Sequence, residues 1–401
     1  MKYIILIGDG MADRPLEELD DKTCLQVART PNMDRLAKEG VTGMVKTLPD
    51  GLPAGSDVAN LSILGYDPKR YYTGRAPLEA ASIGVKMGKD DVAYRCNLVT
   101  LKRIKKRIYL EDYSAGHIPS AEAKKLIKEI DKRLGSNNIR FYSGVSYRHL
   151  MIWRRGKDQI ECIPPHDITG KEMCDYMPMG DGEEVLWELM EDSQAILASH
   201  PVNKNRRMAG LKEANSLWFW GQGKRPSLPS FKKRYGLKGG LISAVDLMKG
   251  IGIYAGFEII KVKGATGYLD TNYGGKAKAA IKALESLDFI CIHVASPDEA
   301  SHNGDIKGKI KAIEDFDSKV VGGIIKGAER IGKYKILLLP DHSTPIGLKT
   351  HTRDPVPFVI YPGSGQKRGV SSFDEVIAKN PLLVFKEGYK LMDYFLNRTA
   401  Q

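Results

Sequence analysis

Three stretches of the chain are apolar at almost every position, and each runs directly into side chains that can hold a metal. Residues 3–7 (YIILI) lead to Asp9, residues 288–295 (DFICIHVA) to Asp298 and His302, and residues 335–339 (KILLL) to Pro340, Asp341 and His342. A fourth run, residues 357–361, is preceded by His351. Short apolar runs bounded by turn residues predict core strands. In a parallel α/β sheet the carboxyl ends of such strands are where a site forms.

Between these runs the period changes. Residues 32–40 place apolar side chains at helical spacing and stop at Gly40, and residues 275–287 repeat the pattern. Strands and amphipathic helices alternate from residue 1 to about 70 and resume from about 230 to the end. The middle differs, with hairpin-like basic and aromatic segments, a helix around 120–134 and another around 182–190. It contributes none of the strand-end ligands. The expected organisation is therefore a core of residues 1–71 and 226–401 that carries the strand-end donors, interrupted by an inserted domain of residues 72–225. The run GQGKRP from Gly221, followed by SLP, reads as the return linker. No internal repeat or low-complexity tract is evident.

Composition narrows this picture only a little. At 401 residues, 42% hydrophobic and 27% charged, the chain can bury two cores. Five scattered cysteines (Cys24, Cys96, Cys162, Cys174 and Cys291) contain no C-x-x-C pair, which argues against a disulfide framework and a zinc ribbon. The opening residues enter a strand after a single lysine, and no apolar stretch approaches the length of a membrane span. The expectation is a soluble, cytoplasmic protein without a membrane partner.

Charge raises one other possibility. The net charge of +12, from 61 basic and 49 acidic residues, is compatible with a nucleic-acid partner. The densest basic run, residues 102–107, has apolar residues on both sides and reads as the solvated turn of a hairpin. No nucleic-acid motif accompanies it, so nucleic acid is not expected. Phosphorylated small molecules would also favour a basic surface.

The segment PAGSDVANL from Pro53 is a small-residue turn entering an apolar helix. Ser56 stands at its start, where unpaired N–H groups and the helix dipole favour negative charge and phosphate. An ordinary N-cap serine would look the same. With Asp9, Asp341 and His342 in the same chain, a metal-activated serine nucleophile is the better explanation, because a free hydroxyl is a poor nucleophile near neutral pH. Asp298 and His302, four apart, would share one face of a helical turn. Mixed carboxylate and imidazole donors suit zinc, manganese or similar divalent ions.

Taken together, Gly8-Asp9-Gly10-Met11, the stretch from Gly51 through Ser56 to Asn60, Ala295 through Asp298 to His302, Pro340-Asp341-His342-Ser343 and Thr350-His351-Thr352 resemble a known motif set. It is that of the 2,3-bisphosphoglycerate-independent phosphoglycerate mutases, archaeal type, in the alkaline phosphatase superfamily. The match is colinear and spans essentially the whole chain. The resemblance implies an alkaline-phosphatase-like α/β fold, a mostly parallel sheet flanked by helices, with an inserted smaller α/β cap. It implies two divalent metal ions, Mn2+ foremost, with Mg2+, Co2+ or Zn2+ as alternatives. Asp9, Ser56, Asp341 and His342 would hold one ion, and Asp298, His302 and His351 the other. Ser56 would carry the phosphoryl group as phosphoserine while 3-phosphoglycerate and 2-phosphoglycerate interconvert, in glycolysis and gluconeogenesis. In-line displacement between two cations is the physical reason for pairing the sites.

Candidate substrate residues are His117, Arg148, Asp167, Arg207, Arg225 and Lys249, with His117, Arg225 and Lys249 taken as catalytic beside Ser56. Arginine offers paired donors to carboxylate and phosphate, and lysine a point charge. A surface ion pair is the competing reading for each arginine. Trp218 and Trp220 alternate with Phe219 as in a strand, so core packing is expected for at least one face. The rival functions are a metal-dependent phosphohydrolase or a phosphopentomutase of the same superfamily. A homoserine-kinase-like role is disfavoured because no G-x-x-x-x-G-K-[ST] loop occurs. The remaining partner expectation is a small phosphoglycerate substrate, with a homo-oligomer left open.

Overall fold

Eight strands form one sheet in the computed structural model, which describes residues 1–363 and 370–397. In chain order they are β1 (Lys2–Gly8), β2 (Val41–Val45), β3 (Gly239–Ile242), β4 (Glu258–Ile259), β5 (Phe289–Val294), β6 (Tyr334–Leu339), β7 (Val356–Tyr361) and β8 (Leu383–Phe385). Across the sheet the order is β4-β3-β5-β1-β6-β7-β2-β8. Strand β1 lies between β5 and β6, parallel to both, with Ile5 opposite Cys291 on one side and Leu337 on the other.

One strand runs backwards. β7 is antiparallel to β6 and to β2, while the remaining pairings are parallel. The residue before β7 therefore lies at the same sheet edge as the residues after β1, β5 and β6. This explains why His351 precedes its strand when the other candidate ligands follow theirs.

The apolar runs become strands because the sheet is covered on both faces. Every residue of β5 and β7 is buried. Ile4, Leu6, Ile290, Ile292, Ile336 and Leu338 join Ala277, Val320 and Ile324 in one core. Each of the Ile, Leu and Val side chains contributes roughly 1.5–3 kcal/mol on burial. The helices expected at 32–40 and 275–287 are Pro31–Glu39 and Tyr273–Ala283.

The chain packs as two units, Met1–Tyr72 with Ser227–Gln401, and Thr73–Pro226. The second unit has its own five-stranded sheet, with Val92–Ile104 paired to Arg107–Asp112, Arg148–Trp153 and Ser216–Lys224, and Ile139–Tyr142 on the edge. These pairings are antiparallel. The basic run forms the exposed turn of the first hairpin, with Lys105 at φ 55°. Helices Ser120–Leu134 and Glu183–Ser199 cover the sheet, and Leu126, Ile130, Leu186, Met190 and Trp218 meet in its core. The second helix runs nine residues past the expected end, Met190, because Ile196 and Leu197 continue its buried face.

The linker reading of Gly221 to Lys224 is corrected. These residues complete the strand Ser216–Lys224, where Ala93 pairs with Gly223 and Val92 with Lys224. A Cβ on Gly223 would lie 1.8 Å from the Thr73 carbonyl oxygen. Gly223 is there for close backbone approach, and Gly221 for its positive φ of 61°.

Candidate active site

The strand ends of the first unit bring seven side chains together. Asp9 follows β1, Asp298 and His302 lie on the helix Ser296–His302 just after β5, Asp341 and His342 follow β6, and His351 precedes β7. Ser56 is the first residue of the helix Ser56–Ile63. Its N-cap is Gly55 and no side chain caps the helix, so Ser56 is not spent on capping. Its Oγ lies 3.0 Å from His342 Nε2 instead.

Donor counting assigns the ring nitrogens. The Thr344 hydroxyl donates to Asp298 Oδ1 at 2.6 Å, so at 3.1 Å its oxygen accepts from His342 Nδ1–H. His342 Nε2 is left with its lone pair facing Ser56 Oγ, Asp9 Oδ1 at 3.4 Å and Asp341 Oδ2 at 3.5 Å. His302 Nδ1–H donates to the Lys349 carbonyl at 2.9 Å, and His351 Nδ1–H to the Ala54 carbonyl at 3.0 Å. Their Nε2 atoms then face each other at 3.0 Å, beside Asp298 Oδ2 at 3.2 Å and Oδ1 at 3.4 Å respectively. Two lone pairs at that separation need a proton or a cation between them.

The protonation states show the same demand. The hydrogen bond to Asp298 raises His302 to about 9. Burial opposes the charge on His351, yet Asp298 raises it too. Asp298 is held well below the usual carboxylate range: burial works against this, and His302 and His351 outweigh it. Asp9 is the reverse, pushed well up by burial and then by Asp341 and Asp298. Burial lowers His342.

Asp341 is fully buried, and its carboxylate accepts from neutral donors: Gly10 N at 3.1 Å, His342 N at 2.9 Å and Asn60 Nδ2 at 2.8 Å. Asp9 Oδ1 is buried without a hydrogen-bond partner. Buried carboxylates in contact without a countercharge are costly. The donor set therefore fits divalent cations. Among the described residues, Asp298, His342 and His351 offer ligand atoms within 4.8 Å of one another, as do Asp9, His293 and Asp341. His342 lies between these groups.

Loop geometry keeps the donors in place. Gly10 has φ 63°, and a Cβ there would lie 2.6 Å from Asp298 Oδ1. Asn60, one helical turn after Ser56, donates to the Ser56 carbonyl at 2.8 Å as well as to Asp341. Beneath the site, buried Lys309 pairs with Asp13 at 2.8 Å and donates to the Thr344 carbonyl at 3.0 Å, pinning the loops after β1 and β6 to each other.

The substrate candidates are divided between the units. Lys249, in the first, lies on the helix Asp246–Tyr254 and pairs with Asp246 at 3.1 Å. In the second, His117, Tyr113, Tyr147 and His166 form an aromatic cluster with ring centroids 5.6–6.5 Å apart. Arg148 lies 5.4 Å from the Tyr147 ring, and Asp167 lies 3.7 Å from His166. Arg207 is not in that cluster and pairs with Glu213 at 2.9 and 3.1 Å, the geometry of a surface ion pair. Arg225 is exposed at the end of the second unit.

Three residues with notable surroundings were not assigned a role from the sequence. Asn60 carries a signal, four positions after Ser56 on one helix face. His293 stands inside an apolar strand, where an imidazole is out of place. Arg95 is buried, pairs with Glu79 at 3.1 Å and lies 4.2 Å from the face of Trp220, with Arg75 5.9 Å from that ring. Nothing local marked it, because the partners come from other elements.

A family model described as 2,3-bisphosphoglycerate-independent phosphoglycerate mutase matches residues 37–203. A Geobacter sulfurreducens protein named as a probable enzyme of that description is 52% identical over 99% of this chain and 100% of its own length. One from Methanosarcina acetivorans is 56% identical over 95% and 96%. Among solved structures, the cofactor-independent phosphoglycerate mutase of Thermoplasma acidophilum superposes with a TM-score of 0.68 at 28% identity, covering 99% of both chains.

Proposed function

The chain belongs to the 2,3-bisphosphoglycerate-independent phosphoglycerate mutases, and from that premise we propose that it interconverts 3-phosphoglycerate and 2-phosphoglycerate through a phosphoserine at Ser56. The observation that carries this reading is Ser56 Oγ, 3.0 Å from the His342 Nε2 lone pair within a ring of carboxylates and imidazoles. Asp9, Ser56, Asp341 and His342 would hold one divalent ion, and Asp298, His302 and His351 a second, with Mn2+ the proposed metal. Bound there, the ions would supply the charge that lowers the proton affinity of the serine hydroxyl and neutralises phosphoryl oxygens.

The chain's own groups have distinct tasks. Ser56 opens the helix Ser56–Ile63, so the positive end of the helix dipole would favour the phosphate that Ser56 accepts. Asn60 fixes Asp341 and the Ser56 backbone together. We assign the unit of residues 73–226 as the substrate cap, in which His117, Arg148, Asp167 and Arg225 hold the glycerate while its hydroxyls exchange places, with Lys249 on the core side. Keeping glycerate bound and water out is what separates a mutase from a phosphohydrolase. The phosphohydrolase and phosphopentomutase alternatives are not favoured by the named relatives. Among the described residues no helix is long and apolar enough to cross a membrane, and the cytoplasm is the proposed compartment for this glycolytic and gluconeogenic step.

The test is formation of 2-phosphoglycerate from 3-phosphoglycerate with Mn2+ and without added 2,3-bisphosphoglycerate. Chelation should abolish turnover and Mn2+ should restore it. Full activity in a metal-free preparation would reject the mechanism.

A further inference from the structure

His293 is fully buried at the penultimate position of β5, in a strand otherwise made of apolar residues and Cys291. A histidine in such a run is normally a core residue whose two nitrogens are satisfied by hydrogen bonds. Here only one is. Nδ1 lies 3.3 Å from Ser243 Oγ, whereas Nε2 has no hydrogen-bond partner. Nε2 does lie 3.1 Å from Asp9 Oδ2, but the pair is not aligned as a hydrogen bond.

That arrangement repeats the pattern of His302, His342 and His351. In each, Nδ1 is occupied by a fixed oxygen and Nε2 points at the carboxylates. Ser243 Oγ accepts from Val245 N at 3.0 Å and has a second lone pair that can take Nδ1–H, the tautomer in which Nε2 is the deprotonated nitrogen. A partner of this kind on the remote nitrogen is what fixes the tautomer of a ligating histidine. Asp9 is shared: its Oδ1 faces His342 and its Oδ2 faces His293. Asp9, His293 and Asp341 offer atoms within 4.8 Å of one another, and Asp9 Oδ1 is itself buried without a hydrogen-bond partner.

We propose that His293 is a metal ligand, binding through Nε2 a divalent cation held with Asp9 and Asp341. This rests on the reading of the site as a divalent-cation centre and adds to it a donor on the sheet side of Asp9. It gives the serine between β3 and its following helix a role as well, since Ser243 orients the ring.

The competing role for His293 is that of a hydrogen-bond donor to Asp9, and two variants separate the readings. His293→Glu keeps a ligating atom at similar reach but cannot donate to Asp9. His293→Gln keeps a donor but is a poor ligand. Each is chelated, then titrated with Mn2+ by calorimetry, with metal content checked by mass spectrometry after gel filtration. Ligation predicts that Gln weakens one class of Mn2+ site by about tenfold or more while Glu stays within about threefold of wild type. The opposite ranking, or variants indistinguishable from wild type, overturns the proposal.

A wild-type measurement stands independently of how the variants fold. Crystals of the Mn2+-loaded wild type should place an anomalous peak within roughly 2.3 Å of His293 Nε2, the range of metal–imidazole bonds. An ion more than about 3 Å away, or none on that side of Asp9, refutes ligation. If the wild type binds no divalent ion at all, the cation-centre reading itself fails, which is a distinguishable result.

Discussion

Asp9→Asn should stabilise the metal-free protein although it removes a proposed metal ligand. Asp9 and Asp341 are both buried and offer oxygens within 4.8 Å of each other. At that distance two charges repel by roughly 3.5 kcal/mol with an effective dielectric of about 20. The protein can avoid this by keeping a proton on Asp9, whose carboxyl burial and Asp341 push well above the ordinary 3.8. Holding that proton costs about 1.4 kcal/mol per pH unit, so at pH 7.5 the ceiling is about 5 kcal/mol. An asparagine amide carries no charge and can donate to Asp341. The expected gain in chelator is about 1–3 kcal/mol, or several degrees at about 2–4 °C per kcal/mol. The sign with pH follows. A carboxyl raised in the folded state loses stability as pH rises from its unfolded value through its folded one. The advantage of the variant should therefore grow from about pH 4 upward. With metal the order should reverse, since ligand at a hundredfold over its dissociation constant adds about 2.7 kcal/mol to wild type and less to the variant. Thermal melts of both proteins in chelator and in excess Mn2+, at several pH values, read all of this. A variant that melts below wild type in chelator would refute the idea that the site is charge-strained without cations.

Ser56→Ala should leave a folded, metal-binding protein with no mutase activity, and acid-quenched wild type incubated with phosphoglycerate should yield a phosphopeptide containing Ser56. Label on a histidine would contradict this. Arg148→Ala or Arg225→Ala should slow transfer and raise the share of inorganic phosphate released, each removing a charged hydrogen bond of about 1.5–3 kcal/mol; unchanged rate and product ratio in both would reject the cap assignment. Glu375 accepts from Thr23 Oγ1 and Asp13 N, and burial raises it from an ordinary 4.5 to about 7 despite those bonds. Its contribution to stability should be complete below about pH 4.5 and lost as pH rises to about 7, and Glu375→Gln should flatten that part of the melting-temperature profile.

The positions of the core strands and their polar termini were legible in the chain, because burial on both faces writes itself locally as an unbroken apolar run. Asp9, Asp341 and His342 follow such runs, and the four-residue spacing of Asp298 and His302 needs only one helical turn to bring them to one face. Helix 120–134 was equally readable, since its buried positions recur at helical spacing. The same local evidence misread Gly221 to Lys224, where glycine serves a close strand pairing with partners far away in the chain. Ser56 as cap or nucleophile was undecidable locally, because the contact that favours the second, with His342, comes from a distant strand end. Arg207 read equally as a substrate residue or a surface ion pair, and its ion-pair partner Glu213 is visible only in the fold.

Apolar periodicity and turn chemistry are properties of neighbouring residues, so most elements and the kinds of donor at their ends are written locally in the chain. Convergence of those donors is a property of strand pairing and was decided only by the tertiary structure. His351 joins the others because β7 is antiparallel, and no short-range pattern encodes that direction. Asp9 meets His293 because β1 and β5 pair across the sheet with Ile7 opposite His293. The ring nitrogens that face inward are likewise selected by oxygens of Thr344, Lys349, Ala54 and Ser243, brought to them by folding.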